Sequence, residues 1–129
     1  MITVIKSPFV QYKLTILRNK KTSNTVFRQT MNEISYLIAS DVLQYVPFKK
    51  QTIETPLKKM SGTALGQPII LVPILRAGLG LLEGFAKFLP EAEKGHIGLY
   101  RDEQTYEPVE YLFKLPRVKN KKVLILDPM

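Results

Sequence analysis

PIILVPILRAGLGLLEG, residues 68–84, is the stretch on which the fold turns. Ile69, Ile70, Leu71 and Val72 make a short apolar run, the pattern of a strand buried on both faces of a parallel sheet. Pro73-Ile74-Leu75 leads into Arg76-Ala77-Gly78, after which Leu79, Leu82, Phe85, Ala86 and Leu89 recur at helical spacing. Strand, tight turn and helix predict a βα unit with a cation at its turn. In open α/β sheets ligands settle at the carboxyl ends of strands, where helix N-termini offer N–H groups to anions. Arg76 is therefore a candidate anion clamp. The plainer alternative is a solvated arginine on a loop.

The glycines of the same stretch resemble a dinucleotide fingerprint only superficially. Gly78, Gly80 and Gly84 are spaced G-x-G-x-x-x-G, one residue too long. The acid such a site needs, about 20 residues on at the end of a second strand, has no candidate, because Asp102 follows Arg101 in a polar loop. A nicotinamide-type site is excluded. The glycines instead predict close approach, of the backbone to a ligand and of the helix to its strand.

Composition sets the outer bounds. With 129 residues, 45% hydrophobic and 23% charged, the chain fits one domain with a real core. Cysteine is absent, which excludes disulfides and thiolate chemistry and fits a reducing cytoplasm. The opening MITVIKSPFVQYK has no long apolar core of a signal peptide, and no run approaches a membrane span. Nineteen Lys plus Arg against eleven Asp plus Glu leave a net charge of +8, which points to polyanionic partners, nucleic acid or phosphorylated small molecules. The basic residues fall in scattered pairs (Lys20-Lys21, Lys49-Lys50, Lys58-Lys59, Lys121-Lys122), the pattern of a solvated surface rather than a nucleic-acid stripe.

Outward from the central unit, the elements follow from period and punctuation. Leu14 to Leu17 reads as either a short helix or a strand. The polar cluster Thr22-Ser23-Asn24-Thr25 suits a helix cap, and Phe27, Met31, Ile34, Ile38 and Val42 predict an amphipathic helix over about 25–46, with Pro47 after it. Gln51 to Thr55 reads as a short strand stopped by Pro56, and 57–67 as a glycine-containing connector. Pro90 to Gly95 reads as a turn. Ile97–Tyr100 and Val109–Leu115 then read as strands of a long hairpin arm around RDEQTYEP, with Tyr111, Phe113 and Leu115 alternating onto one aromatic face. Such a face suits a protein interface. Val123 to Leu126 is another buried-type strand, carrying Asp127 at its end. His96 has no partner cluster, no spacing resembles a transition-metal site, and the chain holds no internal repeat.

Three stretches together, VPILRAGLGLLEG, GHIGLYRDEQTYEPVEYLFKLP and VLILDPM, resemble the uracil phosphoribosyltransferase family, in the same order and across nearly the whole chain. YRDEQT and LILDPM are the specific pieces; VQYKLTILR and ETPL begin the match. The resemblance implies an α/β fold, a phosphoribosyltransferase-type parallel sheet flanked by helices with a β-hairpin arm at about 97–115. It implies a cytoplasmic pentosyl transferase of pyrimidine salvage and UMP biosynthesis, moving ribose 5-phosphate from phosphoribosyl pyrophosphate to N1 of uracil. Mg²⁺ is implied on the diphosphate with no direct protein ligand, GTP as an allosteric activator, and a homodimer joined through the arm. By the same resemblance Arg76 lies in the pyrophosphate-binding turn and Arg101 reaches the diphosphate from the arm. Asp127, Pro128 and Met129 begin the loop for the ribose and its 5-phosphate. No residue is implied as a formal acid or base. The family's pattern continues past DPM, so residues 1–129 are expected to be a single incomplete domain, truncated and inactive alone. The competing reading is a non-catalytic RNA-binding regulator on the same fold; the aromatics sit in the arm near Glu107 and Glu110, which argues against it.

Overall fold

A computed structural model describes residues 2–128. At the N-terminal end, Ser7 caps a helix, α1 (Pro8–Arg18), accepting a hydrogen bond from the Val10 N–H at 3.4 Å, with Pro8 in the first turn. This resolves the ambiguous Leu14–Leu17 in favour of helix. Ser23 caps α2 (Asn24–Leu43) in the same way through the Val26 N–H, and the helix ends three residues earlier than its apolar period suggests. Lys13 of α1 bridges to Glu33 of α2 at 2.7 Å, fastening the two helices together.

Residues 57–67 are not a plain connector. β1 (Phe48–Glu54) and β2 (Lys59–Leu65) form an antiparallel hairpin, paired from Phe48↔Leu65 to Glu54↔Lys59 as a separate two-stranded sheet. KMSGTAL carries a glycine and few large apolar residues, so its strand character comes from pairing with β1 rather than from its own pattern.

The second sheet is built around β3 (Ile69–Leu75). On one edge it pairs in parallel with β7 (Lys122–Leu126), from Ile69↔Lys122 to Pro73↔Leu126. On the other edge it pairs in parallel first with the short β4 (Glu93–Lys94), then with β5 (His96–Arg101). β6 (Pro108–Lys114) closes that side as the antiparallel partner of β5. The sheet is thus mainly parallel, with an antiparallel arm. Ile70, Leu71 and Val72 are fully buried, as a strand covered on both faces requires. β7 departs from that pattern: Leu126 is buried, but Ile125 is 63% exposed.

α3 (Leu79–Phe88) follows β3 directly and lays Leu81, Phe85 and the adjoining Leu89 into a core with Ala39 and Val46, the sheet residues Ile69 and Leu71, and Leu126. The close approaches allowed by its glycines are chiefly to α2 rather than to a strand. A Cβ on Gly84 would overlap Ser35, whose Oγ donates to the Leu81 carbonyl, and would sit 2.6 Å from the Tyr36 nitrogen. A Cβ on Gly80 would meet only Met31, at 2.8 Å from Cγ. Helix α3 is therefore pressed against α2, and that contact sets the angle at which the preceding turn enters it. Among the described residues, no helix is long and apolar enough to cross a membrane.

Candidate functional site

Because β3, β5 and β7 run parallel, their carboxyl ends lie along one edge, and each delivers a polar residue there. Arg76 follows β3, Arg101 ends β5, and Asp127 follows β7. All three line one open cleft of about 790 Å³, together with Leu99, Tyr100, Pro108 and Tyr111. Pro128 does not share this cleft. It lines a neighbouring hollow of about 540 Å³ with Arg28, Asn32 and Glu83, where Arg76 again forms part of the wall. Met129 lies outside the described residues.

Gly78 is what brings the Arg76 turn against β7. Its backbone is ordinary right-handed helical, φ −60°, so no special conformation demands glycine there. Space does. A Cβ would press on the Leu126 carbonyl and lie 2.6 Å and 2.7 Å from the Ile74 nitrogen and oxygen. The last carbonyl of β7 thus rests on the glycine, and Asp127 emerges beside Arg76. The Leu75–Arg76 peptide bond at this turn is cis.

The helix end supplies less than a free N-terminus would. Gly78 N–H donates to the Ile74 carbonyl at 2.7 Å, and Leu79, Gly80 and Leu81 donate to Arg76, Ala77 and Gly78 carbonyls at 3.1 Å each. Those four N–H groups are engaged within the turn, and the formal positive charges lining the cleft are those of Arg76 and Arg101. Among the described residues the ion pairs are Lys13–Glu33 and Lys121–Glu93. Arg76 and Arg101 belong to neither, and both are exposed. Among the described residues, two guanidiniums outside any ion pair and one carboxylate, that of Asp127, line this cleft, and a guanidinium's fork geometry matches phosphate oxygens.

The arm's tip is a knotted turn. The Asp102 carboxylate accepts from the Thr105 N–H at 2.8 Å, the Gln104 N–H at 2.9 Å and the Thr105 hydroxyl at 3.2 Å. The Thr105 N–H, then that of Gln104, hold its carboxyl below the usual range. A depressed pKa means this tie is present above the ordinary carboxylate pKa and is lost as pH falls through the folded value. At neutral pH the tip that follows Arg101 is therefore tied.

The aromatic wall of the cleft is the part that strand periodicity misplaces. β5 and β6 pair Gly98 with Leu112 but Leu99 with Glu110, so Tyr111 is an extra residue in β6. This bulge takes Tyr111 off the face it would share with Phe113 and lays it over Gly98, next to Tyr100. Tyr111 enters the cleft lining; Phe113, paired with Ile97, does not. His96 begins β5 opposite Lys114, away from the cleft lining. Among the described residues, no three His, Asp or Glu side chains converge as a metal site.

Comparison with known proteins is consistent across sequence and structure. The family model for uracil phosphoribosyltransferase matches residues 4–129. The uracil phosphoribosyltransferase of Levilactobacillus brevis is 46% identical over 98% of this chain and 61% of its own length. That of Lactiplantibacillus plantarum matches with the same identity and coverage. The AQ2163 protein of Aquifex aeolicus superposes with a TM-score of 0.89 at 33% identity, over 99% of this chain and 62% of that one. The chain thus spans 61% of the length of these two curated relatives.

Proposed function

This chain belongs to the uracil phosphoribosyltransferase family, and on that premise we propose that its cleft binds phosphoribosyl pyrophosphate for transfer of ribose 5-phosphate to N1 of uracil. UMP and pyrophosphate would be the products, a step of pyrimidine salvage. One observation carries the reading: Arg76 and Arg101, neither in an ion pair among the described residues, meet Asp127 in one cleft at the carboxyl ends of three parallel strands.

The chemistry asks for this kind of surface. Breaking the C1′–O bond builds positive charge on the ribose and negative charge on the departing pyrophosphate. Fixed cations around the leaving group lower that barrier without a nucleophile or a formal base. Arg76, on the turn seated against β7, is the rigid clamp. Arg101, at the end of the arm, is the second hand on the diphosphate. Asp127 accepts from ribose hydroxyls and so holds the sugar in line with the leaving group. Arg76 and Arg101 would hold the diphosphate together with its Mg²⁺, and the ion, as part of the substrate, would supply further neutralisation of phosphate charge. Phe113, 61% exposed on the arm's other face, is the residue through which two copies would join.

The test is direct. Residues 1–129 joined to the part of the Levilactobacillus brevis relative that they do not match are incubated with labelled uracil, phosphoribosyl pyrophosphate and Mg²⁺, and UMP is separated from uracil. UMP formed in step with pyrophosphate release is the expected outcome. Pyrophosphate release that does not depend on uracil, with no UMP, would overturn the assignment.

A further inference from the structure

We propose that Tyr111 is a positioning residue for Arg101: seated on Gly98 at the β-bulge, its ring fixes where the arm presents that arginine. The proposal rests on reading the cleft as the phosphoribosyl pyrophosphate site and names a residue on which that site depends.

Three observations meet at this point. Tyr111 is the extra residue of β6, between Leu112, which pairs with Gly98, and Glu110, which pairs with Leu99. A bulge bends its strand and re-aims a side chain, so the segment beyond it, Leu99–Arg101 with Pro108–Glu110, leaves the sheet on a course set here. Gly98 leaves room for the ring and nothing more. A Cβ there would stand 2.5 Å from Tyr111 Cζ and 2.6 Å from Cε2. The seated ring then packs on Tyr100, with centroids 6.2 Å apart and planes tilted by 41°. Tyr100 immediately precedes Arg101, and Tyr100, Arg101 and Tyr111 all line the cleft.

The physical consequence concerns preorganisation. A long arginine side chain can reach a diphosphate from many backbone positions, but each extra position is freedom lost on binding. Gly98, Tyr111 and Tyr100 form a stack that holds the backbone just before Arg101, so the guanidinium searches from one base. Tyr111 needs its ring for this role, not its hydroxyl.

The experiment measures affinity for phosphoribosyl pyrophosphate with Mg²⁺ by calorimetry, on the protein carrying residues 1–129. Tyr111→Ala is expected to weaken binding about 10-fold, and Tyr111→Phe to bind within about twofold of the parent. Gly98→Ala should imitate Tyr111→Ala, because the methyl group takes the seat and a half-exposed ring swings away without disturbing the core. It also carries the test if Tyr111→Ala does not fold. The double variant should bind no worse than Tyr111→Ala alone, since one seat is lost only once. With Arg101→Ala already in place, Tyr111→Ala should change affinity by less than about twofold, which a general loss of structure would not reproduce. Parent-like binding by both Tyr111→Ala and Gly98→Ala would overturn the role, as would an undiminished Tyr111→Ala effect without Arg101. A parent protein that binds no phosphoribosyl pyrophosphate would overturn the reading of the cleft itself, and this role with it.

Discussion

Replacing Arg76 with alanine in a complete enzyme is expected to lower kcat/KM for phosphoribosyl pyrophosphate by roughly 30- to 1,000-fold, about 2–4 kcal/mol of transition-state stabilisation, the scale of losing one preorganised donor to a developing anion. The size follows from where the residue sits. Arg76 is on the turn that Gly78 packs directly against the Leu126 carbonyl, so its backbone cannot drift to offset a shorter side chain. No other described group on that turn offers a cation, and the N–H groups of Gly78, Leu79 and Gly80 are engaged by the turn's own carbonyls. Lysine should restore only part of the loss, because a point charge lacks the fork that grips two phosphate oxygens. Steady-state kinetics with each variant checks both statements. Parent-like kinetics in Arg76→Ala would remove Arg76 from the site.

Gly78→Ala is the second large effect, and it reaches both stability and binding. The added methyl would face three backbone atoms, the Leu126 oxygen and the Ile74 nitrogen and oxygen, all belonging to paired parallel strands. Backbone in a ladder cannot step aside as a side-chain tip can. Overpacking of a core commonly costs about 1–3 kcal/mol, and this site falls at the upper end of that range. The turn would have to lift off β7, which parts Arg76 from Asp127. Gly80→Ala, two residues on, is the matched control: its methyl meets only the flexible Met31 chain, and alanine is the better helix former. Urea unfolding should show a clear loss for Gly78→Ala and little change for Gly80→Ala. Equal stability of the two would contradict this account of the turn.

Much of this architecture is legible from local signals, and the misses have specific causes. The apolar run at 69–72, the turn and the spacing after Leu79 identify β3 and α3, and with them the edge where Arg76 lies. Asp127 is equally visible at the end of an apolar run. Arg101 is not: nothing local separates it from other loop arginines, and only the family resemblance singles it out. β2 escapes because its partner, rather than its composition, makes it a strand. The β5–β6 bulge escapes for a related reason. Alternation along 109–115 puts Tyr111 and Phe113 on one face, and only the two-strand register shows that Tyr111 is the extra residue. The glycines are legible as close approaches, but which surfaces approach is a tertiary fact. Gly84 makes room for α2, and Gly78 makes room for β7.

The ends of β3, β5 and β7 form one cleft, for which we propose diphosphate and ribose binding. Amide hydrogen exchange, followed as phosphoribosyl pyrophosphate and Mg²⁺ are added, tests it most directly, since it reads binding segment by segment and needs no turnover. Slowed exchange is predicted together at the 76–78 turn and through 101–108, with the β1–β2 hairpin unchanged. Slowing at the hairpin while 76–78 and 101–108 exchange as before would contradict it.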